Sequence, residues 1–217
     1  MKATIDKNYG MMTFHNEVRE NLLAVREMYK NNDSRHNENH FDDVMSFGID
    51  TMLRLLNVNS DYSNINPEML SITLAYHDLG RLLGTECHSK NSAKMLNNST
   101  IISKYYKGFE IETMVRVVKN HSKIIPDKSL YGFILKDADK SFLLDKYDLL
   151  RRLVFKYYDK KLNTVEILDS VMNKLLYMVE NPYVANCEVN RKLFNDSINI
   201  IKNITSEDIL GMIEYIR

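Results

Sequence analysis

Apolar residues recur along this chain at spacings near 3.6, and no segment reads as a strand, so the pattern predicts helices from end to end. A first helix opens at Thr13 and carries Leu22, Leu23, Val25 and Met28 before the polar stretch Lys30 to Asn39 ends it. The second begins near His40, which shares a face with Val44, Phe47, Gly48, Thr51 and Leu55. Asn66-Pro67-Glu68 marks a third start: a capping side chain, a proline at the first helical position and an acid in the first turn. That helix is expected to run to about Leu83 and so to hold His77 and Asp78. Shorter helices are expected from about Ser89 to Leu96 and from about Glu110 to Ser122, and the helical pattern continues from Tyr131 to Asp145.

Beyond Asp148 the chain changes character. Three amphipathic helices are expected near 148–160, 164–180 and 189–216, the last interrupted at about Thr205. Asn163 with Glu166, and later Ser206-Glu207-Asp208, supply their start signals. The stripes Ile167, Val171, Leu175, Met178 and then Leu193, Ile198, Ile201 read as ordinary core, with a substrate cover or a homodimer interface as the other uses of such helices. The chain has just 3 Pro and 7 Gly, which fits an all-α fold. The expectation is one domain over 1–217, a helical bundle followed by a helical C-terminal extension over about 148–217.

Composition narrows the partners. Lys plus Arg (29) equals Asp plus Glu (29), so the chain lacks the global basic field of nucleic-acid binders. Cys87 and Cys187 are far apart without a C-x-x-C spacing, which argues against a disulfide framework and against a thiolate zinc site. Met1 to Tyr9 has no apolar stretch, and no run approaches the ~18 apolar residues of a membrane span. A cytoplasmic location without membrane insertion is therefore expected.

The candidate chemistry lies in six donors: His40, the adjacent pair His77-Asp78, and Asp139, with His88 and His121 between them. An imidazole beside a carboxylate in an apolar helical run is awkward for a core and useful for a divalent cation. Each donor also has a plain structural reading. His121, after Met114, Val117 and Val118 at helical spacing, fits a hydrogen-bonded core histidine; His88 fits a surface helix start; His77-Asp78 fits a polar pair closed by Arg81. That last reading leaves His40 and Asp139 unexplained. His36 falls in the polar loop beside the predicted site, His15 on a solvated helix face, and Asp137 where it can cap or pair with a base.

Taken in order, His40-x-x-x-Val44, then Ile72 to Tyr76 leading into His77-Asp78-Leu79-Gly80-Arg81, then His88-x-x-x-Ser92-Ala93, Val118-Lys119-Asn120-His121-Ser122 and Leu135-Lys136-Asp137-Ala138-Asp139-Lys140, the chain resembles the HD-domain phosphohydrolase superfamily. The match covers about His36 to Asp145, and the layout is most similar to small bacterial single-domain members. The resemblance implies an all-α HD bundle with His40, His77, Asp78 and Asp139 as metal ligands, Asp137 being the second choice for the last position. It places Arg81 and Lys140 on substrate phosphate. His88 and His121 match histidines that in some members hold a second metal and in others contact phosphate or donate a proton. The acidic residue of some nucleotidase members is replaced by Arg81, and the paired histidines and G-Y-P element of the cyclic-dinucleotide branch are missing.

The function expected from this is metal-dependent hydrolysis of a nucleotide or related phosphorylated small molecule. The cofactor would be one or two divalent ions (Mn, Fe, Co, Ni, Zn or Mg), with one ion preferred because the neighbouring second histidine of many dinuclear members is missing. Asp78, His88 and His121 are the expected catalytic residues. The alternatives are a metal-containing module that senses a nucleotide without turning it over, and a plain helical interaction protein that binds no metal.

Overall fold

The computed structural model describes residues 14–217, so the helix start expected at Thr13 and the segment Met1 to Tyr9 lie outside the described residues. The described residues are all-α, with eleven helices and no strand. The chain divides into two compact units, the first ending at Asp139 and the second comprising Lys140–Arg217.

In the first unit the helices are α1 (Asn16–Met28), α2 (Glu38–Val58), α3 (Pro67–Tyr76), α4 (His88–Asn97), α5 (Thr100–Tyr105), α6 (Phe109–Asn120) and α7 (Leu130–Ala138). α3 is the axis: every residue from Glu68 to Tyr76 is buried, with α1, α2, α4, α6 and α7 packed around it. A helix apolar on all sides belongs in a core, and its buried Ser and Thr hydroxyls are satisfied locally. Ser71 Oγ donates to Pro67 O at 2.9 Å and Thr73 Oγ1 to Met69 O at 2.7 Å. α2 crosses α3 closely at Gly48, where a Cβ would come within 2.5 Å of Leu74 Cδ1.

α3 stops at Tyr76, short of the Leu83 expected from the pattern, and a 3₁₀ turn over Leu79–Leu83 follows. The cause is competition for the last carbonyls. His77 Nδ1 bonds Leu74 O at 2.7 Å, the carbonyl that the Asp78 amide would otherwise use, and Tyr29 Oη donates to Ala75 O at 2.9 Å. The displaced Asp78 N–H donates instead to Tyr29 Oη at 3.2 Å. Asp78 therefore leaves the helix at φ −110°, ψ 4°, so the pair is not the adjacent helical couple that the sequence pattern implies. The pattern from Tyr131 to Asp145 also breaks early, α7 ending at Ala138 with Asp139 at its C-cap.

The second unit holds α8 (Lys146–Tyr158), α9 (Thr164–Glu180), α10 (Arg191–Lys202) and α11 (Ser206–Ile216). Its buried residues include the expected Ile167, Val171, Leu175 and Ile201 together with Phe194, Ile209 and Ile213. Capping boxes at Asn163/Glu166 and Thr205/Asp208 start α9 and α11. Among the described residues, no helix is long and apolar enough to cross a membrane.

Tyr29 is fully buried, and its hydroxyl serves both Ala75 and Asp78. Tyr29→Phe strands a buried donor and a buried acceptor, so urea unfolding should show a loss of about 1–3 kcal/mol at an unchanged m-value. Wild-type stability for Y29F would remove this hydroxyl from the account of how α3 ends.

Candidate metal centre

The site is assembled from helix ends. His40 lies in the first turn of α2, whose N-cap Asn37 accepts the His40 amide at 3.4 Å. His77, His121 and Asp139 are the C-cap residues of α3, α6 and α7, and His88 is the first residue of α4. Three helix C-termini, each with a partial negative charge, thus converge where a cation is in question.

Four of the six donors meet at one point. His40 Nε2 is 3.2 Å from His77 Nε2, 3.6 Å from Asp78 Oδ2 and 3.7 Å from Asp139 Oδ1. His77 Nε2 is 3.6 Å from Asp78 Oδ2 and 3.9 Å from Asp139 Oδ1. Donors bound to one transition-metal ion at about 2.1 Å stand about 3.0 to 3.4 Å apart, so a contraction of a few tenths of an ångström closes a coordination shell. The other carboxylate oxygen faces the remaining pair: Asp78 Oδ1 is 3.3 Å from His121 Nε2 and 3.4 Å from His88 Nε2. The cluster could hold a metal ion in either pocket, with Asp78 common to both.

The ring nitrogens turned away from the cluster decide the chemistry of those turned toward it. His77, His88 and His121 each direct Nδ1 at the backbone carbonyl three residues earlier, Leu74 at 2.7 Å, Thr85 at 3.0 Å and Val118 at 2.7 Å. A carbonyl only accepts, so Nδ1 carries the proton and, in a neutral ring, Nε2 is left with its lone pair. This is how outer partners fix ligating histidines. Close approach of the His40 and His77 Nε2 atoms beside two carboxylates is repulsive unless a cation or proton lies between them. The donor set therefore fits a divalent ion that favours nitrogen and oxygen.

Burial sets the charge states. His77, wholly enclosed, is pushed down by desolvation to about 4, against a smaller upward pull from Asp78. Desolvation also lowers His88, which is only partly enclosed. At His121 desolvation pulls down most, but the bond and charge of Asp78, with the charge of Asp139 and the Val118 carbonyl, together outweigh it and the group is raised. Burial alone would raise Asp78, yet His77, His121 and His40 hold it well below the usual carboxylate range, so it is an anion at neutral pH.

Two neighbours complete the cradle. Gly80 lies against the start of α4, where a Cβ would be 2.3 Å from His88 O and from Ser92 N, and its N–H donates to Ser92 Oγ at 2.8 Å. This bare backbone lets His88 come up to Asp78. Lys136, buried on α7, donates from Nζ to His121 O at 3.1 Å and to Lys123 O at 2.7 Å, pinning the residues after α6.

The structure brings together all six predicted donors and adds Arg81, whose Nε is 3.0 Å from Asp78 Oδ2 but misaligned for a hydrogen bond. Lys140 opens the second unit, its Nζ 5.8 Å from the Phe142 ring centroid. His36 reaches the site, with Nε2 3.8 Å from Asp78 Oδ2. Asp137 is fully buried. His15 is exposed as expected but stands ahead of α1, bonding Glu68 through both its backbone N–H and Nδ1 at 2.8 Å. Tyr29 and Lys136 were missed, because an apolar-face Tyr and a helical Lys carry no local mark of such a role.

A separate concavity of about 620 Å³ lies at the other end of α3, lined by His15, Glu68, Tyr105, Tyr106 and Glu110 among others. Its buried carboxylate, Glu68, already accepts from His15 and from the Tyr106 hydroxyl. Glu68 is thus satisfied within the protein, whereas Asp78 Oδ1 at the metal centre is not.

No family model matches the chain, and no curated protein or solved structure matches it either.

In metal-free protein, nitrogen-15 NMR of the imidazoles should show His77 as the Nδ1–H tautomer, still neutral at pH 5 and titrating near 4. The unfolded chain takes that proton near 6.5, so the His77 contribution to stability is complete above 6.5 and is lost as pH falls toward 4. His121 has the opposite sign: its contribution is complete below 6.5 and fades as pH rises through its elevated folded value. A His77 titration near 6.5 would mean that the cluster is open to water.

Proposed function

We propose that this chain is a metal-dependent phosphohydrolase that cleaves a phosphoester or phosphoanhydride bond of a nucleotide or related phosphorylated small molecule. The observation that carries the reading is the convergence of His40, His77, Asp78 and Asp139 on one point, with the second oxygen of Asp78 turned to His88 and His121. The ordered resemblance of the same residues to the HD-domain superfamily supports it.

His40, His77, Asp139 and Asp78 Oδ2 would hold one divalent ion, and Asp78 Oδ1, His88 and His121 a second. When bound, such ions supply Lewis acidity to a phosphoryl oxygen and to the attacking water. The residues themselves supply the frame. The Nδ1 bonds to Leu74, Thr85 and Val118 keep three imidazoles in the donor tautomer. Arg81, 15% exposed, holds its Nε against Asp78 and leaves the rest of its guanidinium able to take phosphoryl oxygens, a fixed positive charge suited to a developing anion. Burial of the cluster excludes bulk water and strengthens each of these interactions.

Two readings compete within this frame. With a single ion, His88 and His121 become free to handle protons. As a sensing module, the chain would bind a nucleotide at micromolar concentration with little or no turnover.

The test is a metal-by-substrate profile over Mn, Fe, Co, Ni, Zn and Mg with nucleoside mono- and triphosphates, deoxynucleotides and cyclic nucleotides. Turnover should appear with at least one transition metal. Asp78→Ala should lose more metal affinity than the about 10- to 100-fold that removal of an outer partner costs. Silence across the panel together with unchanged metal binding by D78A would end the proposal.

A further inference from the structure

Seven buried side-chain nitrogen or oxygen atoms among the described residues have no hydrogen-bond partner, and they are not scattered. Both polar atoms of the Asn32 amide, Asp33 Oδ2 and Arg35 Nε lie in one loop; Arg81 Nε and Asp78 Oδ1 are at the metal centre; Thr113 Oγ1 is the seventh. Buried polar atoms are normally paired, so such a concentration marks groups awaiting something the protein does not supply.

The loop and the centre are linked through Asp33. Its Oδ1 accepts the Arg35 N–H at 2.9 Å and faces His36 Nδ1 at 2.7 Å. Arg35 Nε is 3.6 Å from the same oxygen, while Arg81 Nη1 is 3.9 Å from Oδ2. His36 and Arg81 then reach Asp78 Oδ2 at 3.8 and 3.0 Å. Burial works to raise Asp33, but the bond and charge of His36, with help from Arg35, hold it well below the usual range. One carboxylate is thus shared by two guanidiniums, neither of which makes a hydrogen bond through Nε. Arg35 is 26% exposed and Arg81 15%, so both still reach solvent.

We infer that Arg35 and Arg81, spaced by Asp33, form a clamp for a second phosphate, and that the substrate class is a phosphoanhydride carrying at least two adjacent phosphates. This rests on the phosphohydrolase reading of the metal centre. A phosphoryl group over the imidazole and carboxylate cluster meets Arg81 alone, whereas Arg35 stands one carboxylate further out in the loop. A monoester, with about two negative charges on one phosphorus, has nothing to offer it. A neighbouring phosphate brings the planar acceptor pair that a guanidinium fork matches. Asp33 is a positioning residue here, holding the forks apart without touching the ligand.

The test is calorimetric binding of imidodiphosphate, a non-hydrolysable diphosphate, against orthophosphate. It uses the full chain with Mn²⁺ and again in EDTA, with metal content measured on every sample. Wild type should prefer the diphosphate by about tenfold or more, the scale of a charge-assisted hydrogen-bond pair. Arg35→Ala should abolish the preference in both conditions at unchanged metal content and orthophosphate binding. Arg35→Lys, which keeps charge and loses the fork, should fall between them and guards against an alanine variant that misfolds. No diphosphate preference in wild type, or a preference intact in R35A, overturns the clamp and assigns those atoms to ordinary hydration. A chain without metal refutes the phosphohydrolase reading instead, while the EDTA measurement still decides the clamp.

Discussion

A fully buried carboxylate whose two oxygens face different imidazoles is the constraint on which the first unit depends. Placing Asp78 out of water costs several kcal/mol unless positive charge and donors surround it. The surroundings comply: His40, His77, His88, His121, His36 and Arg81 all come within 4 Å of its oxygens. Yet Oδ1 still accepts no hydrogen bond. His88 and His121, when neutral, have their ring protons committed to backbone carbonyls and cannot satisfy it as donors. A cation between them can.

The backbone is shaped around that requirement. Continuing α3 past Tyr76 would place His77 and Asp78 about 100° apart on one helix, with both carboxylate oxygens constrained by the helix surface. Ending it there, with Tyr29 taking Ala75 O and the Asp78 amide, turns the carboxylate so that each oxygen meets a different group of ligands. Gly80 then admits the start of α4, which brings His88. The helix termini at His77, His121 and Asp139 leave their partial negative charge at the same place, which disfavours an empty cluster and favours a filled one.

Much of this was legible in the chain. Helical periodicity located most helices, the Asn66-Pro67 and Asn163-Glu166 caps were read where they stand, and the six donors are assembled as one cluster. The break after Tyr76 was not legible, because its causes are a tyrosine 49 residues before Asp78 and a ring that folds back on its own helix. Neither leaves a mark in periodicity. The loop Asn32 to His36 read as polar and unstructured for a similar reason: composition shows that such a segment is solvated, not that its amide and guanidinium groups are partly enclosed beside a charged cluster. The relation of Asp78 to His88 and His121 was open in the sequence, since a bridging carboxylate is a matter of which oxygen faces which ring.

The most direct test of the central claim, that the cluster around Asp78 can hold a divalent ion, is anomalous scattering from crystals grown with Mn²⁺ or Zn²⁺. A peak bounded by His40, His77, Asp78 and Asp139 is expected, and a second one beside His88 and His121 where two ions are held. No peak within coordination distance of Asp78 would contradict it.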